Sequence, residues 1–265
     1  MLETLSTYAF PPGGIACYYH TASVRNALDI LVHNHLFGSF PSRVNDPDDL
    51  RIQIENLDKS PYLKTRGRGL DLSAIQEGLN KEAKAIMDRT YRFACFAEAS
   101  KVDSDKQSEL RFWNEYANHF KGVRFKFVID KDFLITPSAE DTFVGKIIYN
   151  GHSATIDASY VQHISDFARL IASQGFLDDL CYFKSPDWMS EYEFRLGSVY
   201  TRLHLEMSRI TSKEERFFVF NPFKLLEVVV GYRADEEDIG LLKVMTKNKN
   251  VQLRKAVTDL RYEAI

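Results

Sequence analysis

Apolar and polar positions along the chain fall into three patterns. They alternate, recur at helical spacing, or are broken by turn formers, and each pattern predicts an element. Pro11-Pro12-Gly13-Gly14 is a breaker, which predicts an N-terminal arm over residues 1–14. Ile15 to His20 is apolar and aromatic and predicts a strand. Thr21 or Ser23 can cap a following helix, in which Val24, Ala27, Leu28 and Leu31 repeat at three and four to give one apolar stripe. Leu36 to Phe40 predicts a short strand, and Asn45-Asp46-Pro47 a turn.

Residues 58–72 predict a loop, and Ser73 opens a helix to about residue 89. A strand over Tyr91 to Ala97, a polar loop over 99–108 and a helix to about His119 follow. Leu110, Trp113, Tyr116 and Ala117 share one stripe of that helix. Val123 to Ile129 alternates, predicting a strand with one wet and one core face. Phe143 to Tyr149 predicts a strand and Tyr160 to Ser173 an amphipathic helix. The stretch 188–200 predicts a strand, as do Phe217 to Phe220 and Leu225 to Gly231. A helix over Asp235 to Lys247 and a strand over Val251 to Val257 close the pattern. Strands and helices are interspersed without strict alternation. That predicts an α+β fold, mostly antiparallel, as a single domain over 1–265 with its core over 15–260.

Composition changes little in this picture. The 265 residues are 45% hydrophobic and 27% charged with a net charge of −3, so nucleic acid would have to be met by a local basic patch. The three cysteines are far apart and predict reduced thiols in a cytoplasmic chain. No run of 18 apolar residues occurs, so no membrane partner is expected. Phosphate-loop, dinucleotide-fingerprint, zinc-helix and nucleophile-elbow motifs are all missing, and no metal is called for. His33 and His35 at a helix end are expected to point to different sides, which argues against a shared ligand role.

Candidate chemistry concentrates in Trp188 to Arg195. Read as a strand, this stretch puts Glu191, Glu193 and Arg195 on one face at steps of about 7 Å. Two close acids raise one pKa unless a cation sits between them, and this is how a site readies a carboxylate for chemistry. The competing reading is the solvated face of an edge strand. Lys64, Arg66 and Arg68, clustered between glycines, can grip phosphates or form a solvated loop. Lys121, Arg124 and Lys126 can add a basic surface.

A set of ordered blocks then stands out: Tyr18-Tyr19-His20-Thr21, Val44-Asn45-Asp46-Pro47, Cys95-Phe96-Ala97, Phe112 to Ala117, Gly122-Val123, Lys184 to Arg195 and Val228 to Gly231. Together they resemble a bacterial domain-of-unknown-function family with His-Tyr-Thr, Phe-Asn-Asp-Pro, Cys-Phe-Ser, Met-Trp-x-x-Tyr and Trp-x-x-Glu-x-Glu-Trp-Arg blocks. The chain departs from that pattern at Tyr19-His20, at Ala97 in place of Ser, and at Phe194 in place of Trp. The family is more distantly similar to ADP-ribosyltransferase toxins.

That resemblance implies split antiparallel sheets with flanking helices around a cleft for NAD, which is a substrate. It implies Glu193 as the catalytic carboxylate with Glu191 as helper. Tyr19, His20, Thr21 and Asn45 would contact the nucleotide, Trp113 or Tyr116 would stack on nicotinamide, and Arg195 or the Lys64, Arg66 and Arg68 loop would meet the pyrophosphate. The expected function is a mono-ADP-ribosyltransferase acting as a toxin or phage-defence effector, with nucleic acid or protein as acceptor and an antitoxin or other inhibitory protein as partner. Two alternatives remain open: a catalytically inactive nucleotide- or partner-binding module of the same fold, and a metal-independent nuclease using Glu191, Glu193 and Arg195. For Trp113 and Tyr116 a core role competes with stacking, and for Asn45 a turn role competes with chemistry.

Overall fold

The computed structural model describes residues 3–40, 52–65, 71–135, 142–149, 154–171, 182, 184–199, 217–257 and 260–265. Asn45, Arg66 and Arg68 lie outside them. In chain order the described elements begin with β1 (Glu3–Thr4), β2 (Ile15–Thr21), α1 (Val24–His33), β3 (His35–Phe37), β4 (Ile52–Glu55), α2 (Pro61–Thr65) and α3 (Leu72–Thr90). Next come β5 (Tyr91–Glu98), α4 (Ala99–Val102), α5 (Lys106–Arg111), β6 (Val123–Ile129), β7 (Thr142–Lys146), β8 (Ala154–Asp157) and α6 (Ile164–Ile171). The chain ends with β9 (Glu193–Val199), β10 (Phe217–Val219), β11 (Leu225–Val230), α7 (Glu236–Asn248), β12 (Gln252–Ala256) and β13 (Tyr262–Ala264). The fold is α+β around a large mixed sheet.

Nine strands form that sheet in the order β1-β7-β9-β5-β2-β6-β11-β12-β13, and only the β11–β12 pair is parallel. β3 pairs with β10, and β4 with β8. One face is apolar by strand alternation: Val123, Phe125, Phe127 and Ile129 of β6 are all fully buried. They pack with Phe194 and Leu196 of β9 under α1 and α7, which contribute Ala27, Ile30, Leu31, Ile239 and Leu242. Ser23 caps α1 by accepting from the Asn26 amide, as its position before the apolar stripe predicts.

The join between β2 and β5 is the structurally decisive seam. β2 pairs with β6 over seven residues and β5 with β9 over seven, but β2 and β5 share only Cys17↔Glu98 and Tyr18↔Ala97. Beyond Tyr18 the two strands part. Two antiparallel blocks, β1-β7-β9-β5 and β2-β6-β11, are therefore joined at a two-residue seam within one sheet.

Several elements differ from the sequence expectation. The first residues are not a free arm: β1 pairs with β7, Leu5 donates its amide to the Thr142 carbonyl at 2.8 Å, and its side chain is fully buried. The 99–108 stretch carries α4 and the start of α5, whose cap is Asp105 accepting from the Gln107 and Ser108 amides. Residues 57–65 hold a 3-10 turn and α2 instead of a loop. The predicted 188–200 strand begins only at Glu193. Pro186–Glu191 is a 3-10 helix that Ser185 caps, and Tyr192 (φ 46°) turns the chain into β9. Ser-Pro at a helix start is the signal that the alternation outweighed.

Candidate functional site

A cavity of about 220 Å³ opens where β2 and β5 part. Tyr19 and His20 line it from β2, Cys95 from β5, Tyr116 from the turn after α5, and Glu191, Glu193 and Arg195 from the start of β9. Because the opening lies between strands, successive β2 residues that face opposite sides of the sheet can both reach it.

Its floor is a buried charge cluster. Lys184 donates to Glu191 Oε2 at 2.6 Å and to Glu193 Oε2 at 3.1 Å, and Arg195 Nε donates to Glu193 Oε1 at 2.6 Å. The Tyr116 hydroxyl donates to Glu191 Oε1, and the Glu193 amide donates to the Tyr149 hydroxyl at 2.8 Å. Lys184, Glu191, Glu193 and Arg195 are all buried, the most exposed of them, Lys184, at 7%. The solvated edge-strand reading of this stretch is therefore excluded. Two carboxylates and two cations balance within the cluster, as buried ions require.

The environments push the two acids apart. Burial raises both carboxyls. At Glu193 the Arg195 and Lys184 charges outweigh burial and hold the carboxyl down at about 2. At Glu191 burial wins over Lys184 and the Tyr116 hydrogen bond, and its pKa lies above the usual value. Burial, aided by Arg124, lowers the His20 pKa well below its ordinary value, so that imidazole is neutral. His20 stacks on Phe112 with ring centres 5.1 Å apart.

The structure separates the other expected residues from this group. Trp113 is fully buried, stacks on Phe120 at 5.1 Å and donates to the Tyr262 hydroxyl at 3.2 Å, so it is a core residue and not a stacking platform. The cause is the π-helical turn Phe112–Tyr116, closed by the Ala117 amide on the Phe112 carbonyl at 3.1 Å. The wider turn moves Phe112 and Tyr116 onto one side and Trp113 and Ala117 onto the other. Thr21 is buried, with its hydroxyl donating to the Ser23 carbonyl at 3.1 Å, and does not line the cavity. Lys64 is exposed on α2, away from the cavity.

Of the basic surface expected from Lys121, Arg124 and Lys126, Arg124 drops out, while Lys121 is exposed and Lys126 half-buried. Arg124 is 2% exposed, bonds Glu109 at 2.7 Å and lies 4.1 Å from the Tyr18 ring. The face of β6 read as wet is covered there by α5 and β13. Lys184, Phe112 and Tyr149 were missed by the sequence reading. For Lys184 the signal was its place at the head of the Lys184–Arg195 block, nine residues before Glu193.

No protein-family model, curated protein or solved structure matches the chain. Among the described residues, no helix is long and apolar enough to cross a membrane.

Proposed function

We propose that the protein is an NAD-dependent mono-ADP-ribosyltransferase of the toxin or phage-defence type, with nucleic acid or protein as acceptor and an inhibitory protein as partner in the cell. The observation that carries the reading is the convergence of Glu191 and Glu193 with Tyr19 and His20 on one cavity at a parted seam. The cavity is below the roughly 300–1,000 Å³ usual for a whole drug-sized ligand. It suits the nicotinamide-ribose end of NAD, with the adenosine end lying outward.

In this scheme the bond from nicotinamide nitrogen to ribose breaks, nicotinamide leaves with the electron pair, and an oxocarbenium-like sugar forms. Ionised Glu193 faces that positive charge from a dry wall, where an oriented charge acts most strongly. Glu191, with its raised carboxyl, is matched to accept the proton of the incoming acceptor. Neutral His20 and the Tyr19 ring pack against the nucleoside.

A second reading rests on a specific observation. Both Glu193 oxygens are already bonded, Oε1 to Arg195 and Oε2 to Lys184, which suits a nucleotide- or partner-binding module without catalysis. The deciding measurement is nicotinamide release from NAD, with and without RNA, DNA or protein acceptors. The wild type is expected to release nicotinamide, and Glu193→Gln to lose roughly 10²–10³-fold, by analogy with removal of one electrostatic donor. Saturable NAD binding without release selects the binding module. Nucleic acid shortened in the absence of NAD selects the nuclease.

A further inference from the structure

We propose a second site, for a divalent transition-metal ion of the zinc class, built from Asp29, His33 and His35. These are the three described residues whose ligand atoms all lie within 4.8 Å of one another. His33 Nδ1 is 3.0 Å from Asp29 Oδ1, and His35 Nε2 is 3.0 Å from Asp29 Oδ2. The two imidazoles are stacked with centres 5.1 Å apart and planes 9° from parallel, so one ring would turn about its Cβ–Cγ bond to bring both in-plane lone pairs onto a shared ion.

Sequence spacing argued against this meeting, because residues two apart on a helix diverge. Asn34 supplies the reason they converge. It ends α1 in the left-handed conformation (φ 52°), so His35 is the first residue of β3 and folds back beside His33. The turn is fixed on both sides: the Phe220 amide donates to the Asn34 carbonyl at 2.8 Å, and Lys249 donates to the Asn34 side chain at 2.6 Å.

The donor set fits the chemistry. Imidazole nitrogen and carboxylate oxygen are zinc ligands at about 2.0–2.2 Å, which puts neighbouring ligand atoms of a tetrahedral site about 3.3 Å apart. The two 3.0 Å separations run to different oxygens of Asp29, and the ligand atoms lie within 4.8 Å of one another, so to admit the ion the side chains would draw in from that spacing toward about 3.3 Å. His33 Nδ1, 3.1 Å from the Asp29 carbonyl, would exchange that hydrogen bond for the metal and keep its proton on Nε2. His33 is 56% and His35 11% exposed at the side chain, so the ion would have one wet side for a water ligand and one anchored side. Bound there, it would tie the end of α1 to β3, whose Phe37 lines the cavity at the seam.

The test is calorimetric titration of chelator-treated protein with zinc chloride, together with its thermal unfolding. The wild type is expected to bind one ion per chain at micromolar concentration and to rise in Tm with zinc. Asp29→Asn and His33→Gln are each expected to weaken binding at least about tenfold. His33 is exposed, so its variant keeps the fold, and its apo Tm should match the wild type. No binding by the wild type overturns the site, as does undiminished binding by the His33→Gln, His35→Gln double variant.

Discussion

Lys184 is the residue on which the charge cluster depends. It is the common donor to Glu191 and Glu193, and it packs 4.8 Å from the Trp188 ring. Burial alone would lower its pKa, but the two glutamates raise it, so the ammonium stays charged. Lys184→Met leaves two buried carboxylates facing one guanidinium. Removing one partner of a buried pair costs about 3–5 kcal/mol, and urea unfolding of this variant should show a loss of that order. A loss below about 1 kcal/mol would mean that water already screens the cluster. The acids and Arg195 were legible in the sequence because an alternating pair of glutamates is conspicuous. Lys184 was not, because it reaches them across a 3-10 helix and a left-handed Tyr192 that alternation cannot encode.

At the scale of elements, strands that use one face for the core were the most legible. β2, β5, β6 and β11 were found near their observed bounds because their apolar side chains alternate or run together. Elements set by caps were read poorly: α5 and the 186–191 helix are short, and local side-chain bonds to the backbone at Asp105 and Ser185 define their starts more than apolar periodicity does. The π-turn is a further case, since one extra residue per turn changes which side chains share a face. Close backbone approach makes another local demand. A Cβ on Gly122 would lie 1.8 Å from the Thr21 carbonyl oxygen, where β2 ends beside the start of β6. Backbone cannot swing aside as a side chain can. Gly122→Ala is expected to cost about 1–3 kcal/mol in chemical denaturation, and a neutral result would show that the two strand ends slide freely. Tyr262 of β13 makes the complementary case. It donates to Glu109 and accepts from Arg124 at 3.0 Å and from Trp113 at 3.2 Å, closing the sheet edge over α5. Tyr262→Phe leaves buried polar groups short of a partner and should cost about 1–3 kcal/mol in the same assay.

Across the whole molecule, the buried cluster couples stability to acid. The Glu193 carboxyl sits at about 2 in the fold, against about 4.3 in an unfolded chain. A depressed acid stabilises the fold above its unfolded value, and that contribution is lost as pH falls from about 4.3 toward 2. Glu191 works in the other direction: its raised carboxyl favours the fold in acid, and that share is lost as pH rises through its folded value. Between about pH 5 and pH 3 the wild type should therefore lose more unfolding free energy than Glu193→Gln. Parallel curves for the two proteins would assign the acid sensitivity elsewhere.

β2 and β5 hold the molecule's two halves together through a pair of stitches, Cys17 and Tyr18. Each half is stiffened by long ladders, while across the parted stretch side-chain packing, such as Phe96 against Tyr19 and Phe127, spans the line between them. A guest lodged in the opening would press on both halves at once and rivet them, so filling the cleft and bracing the whole body would be a single event.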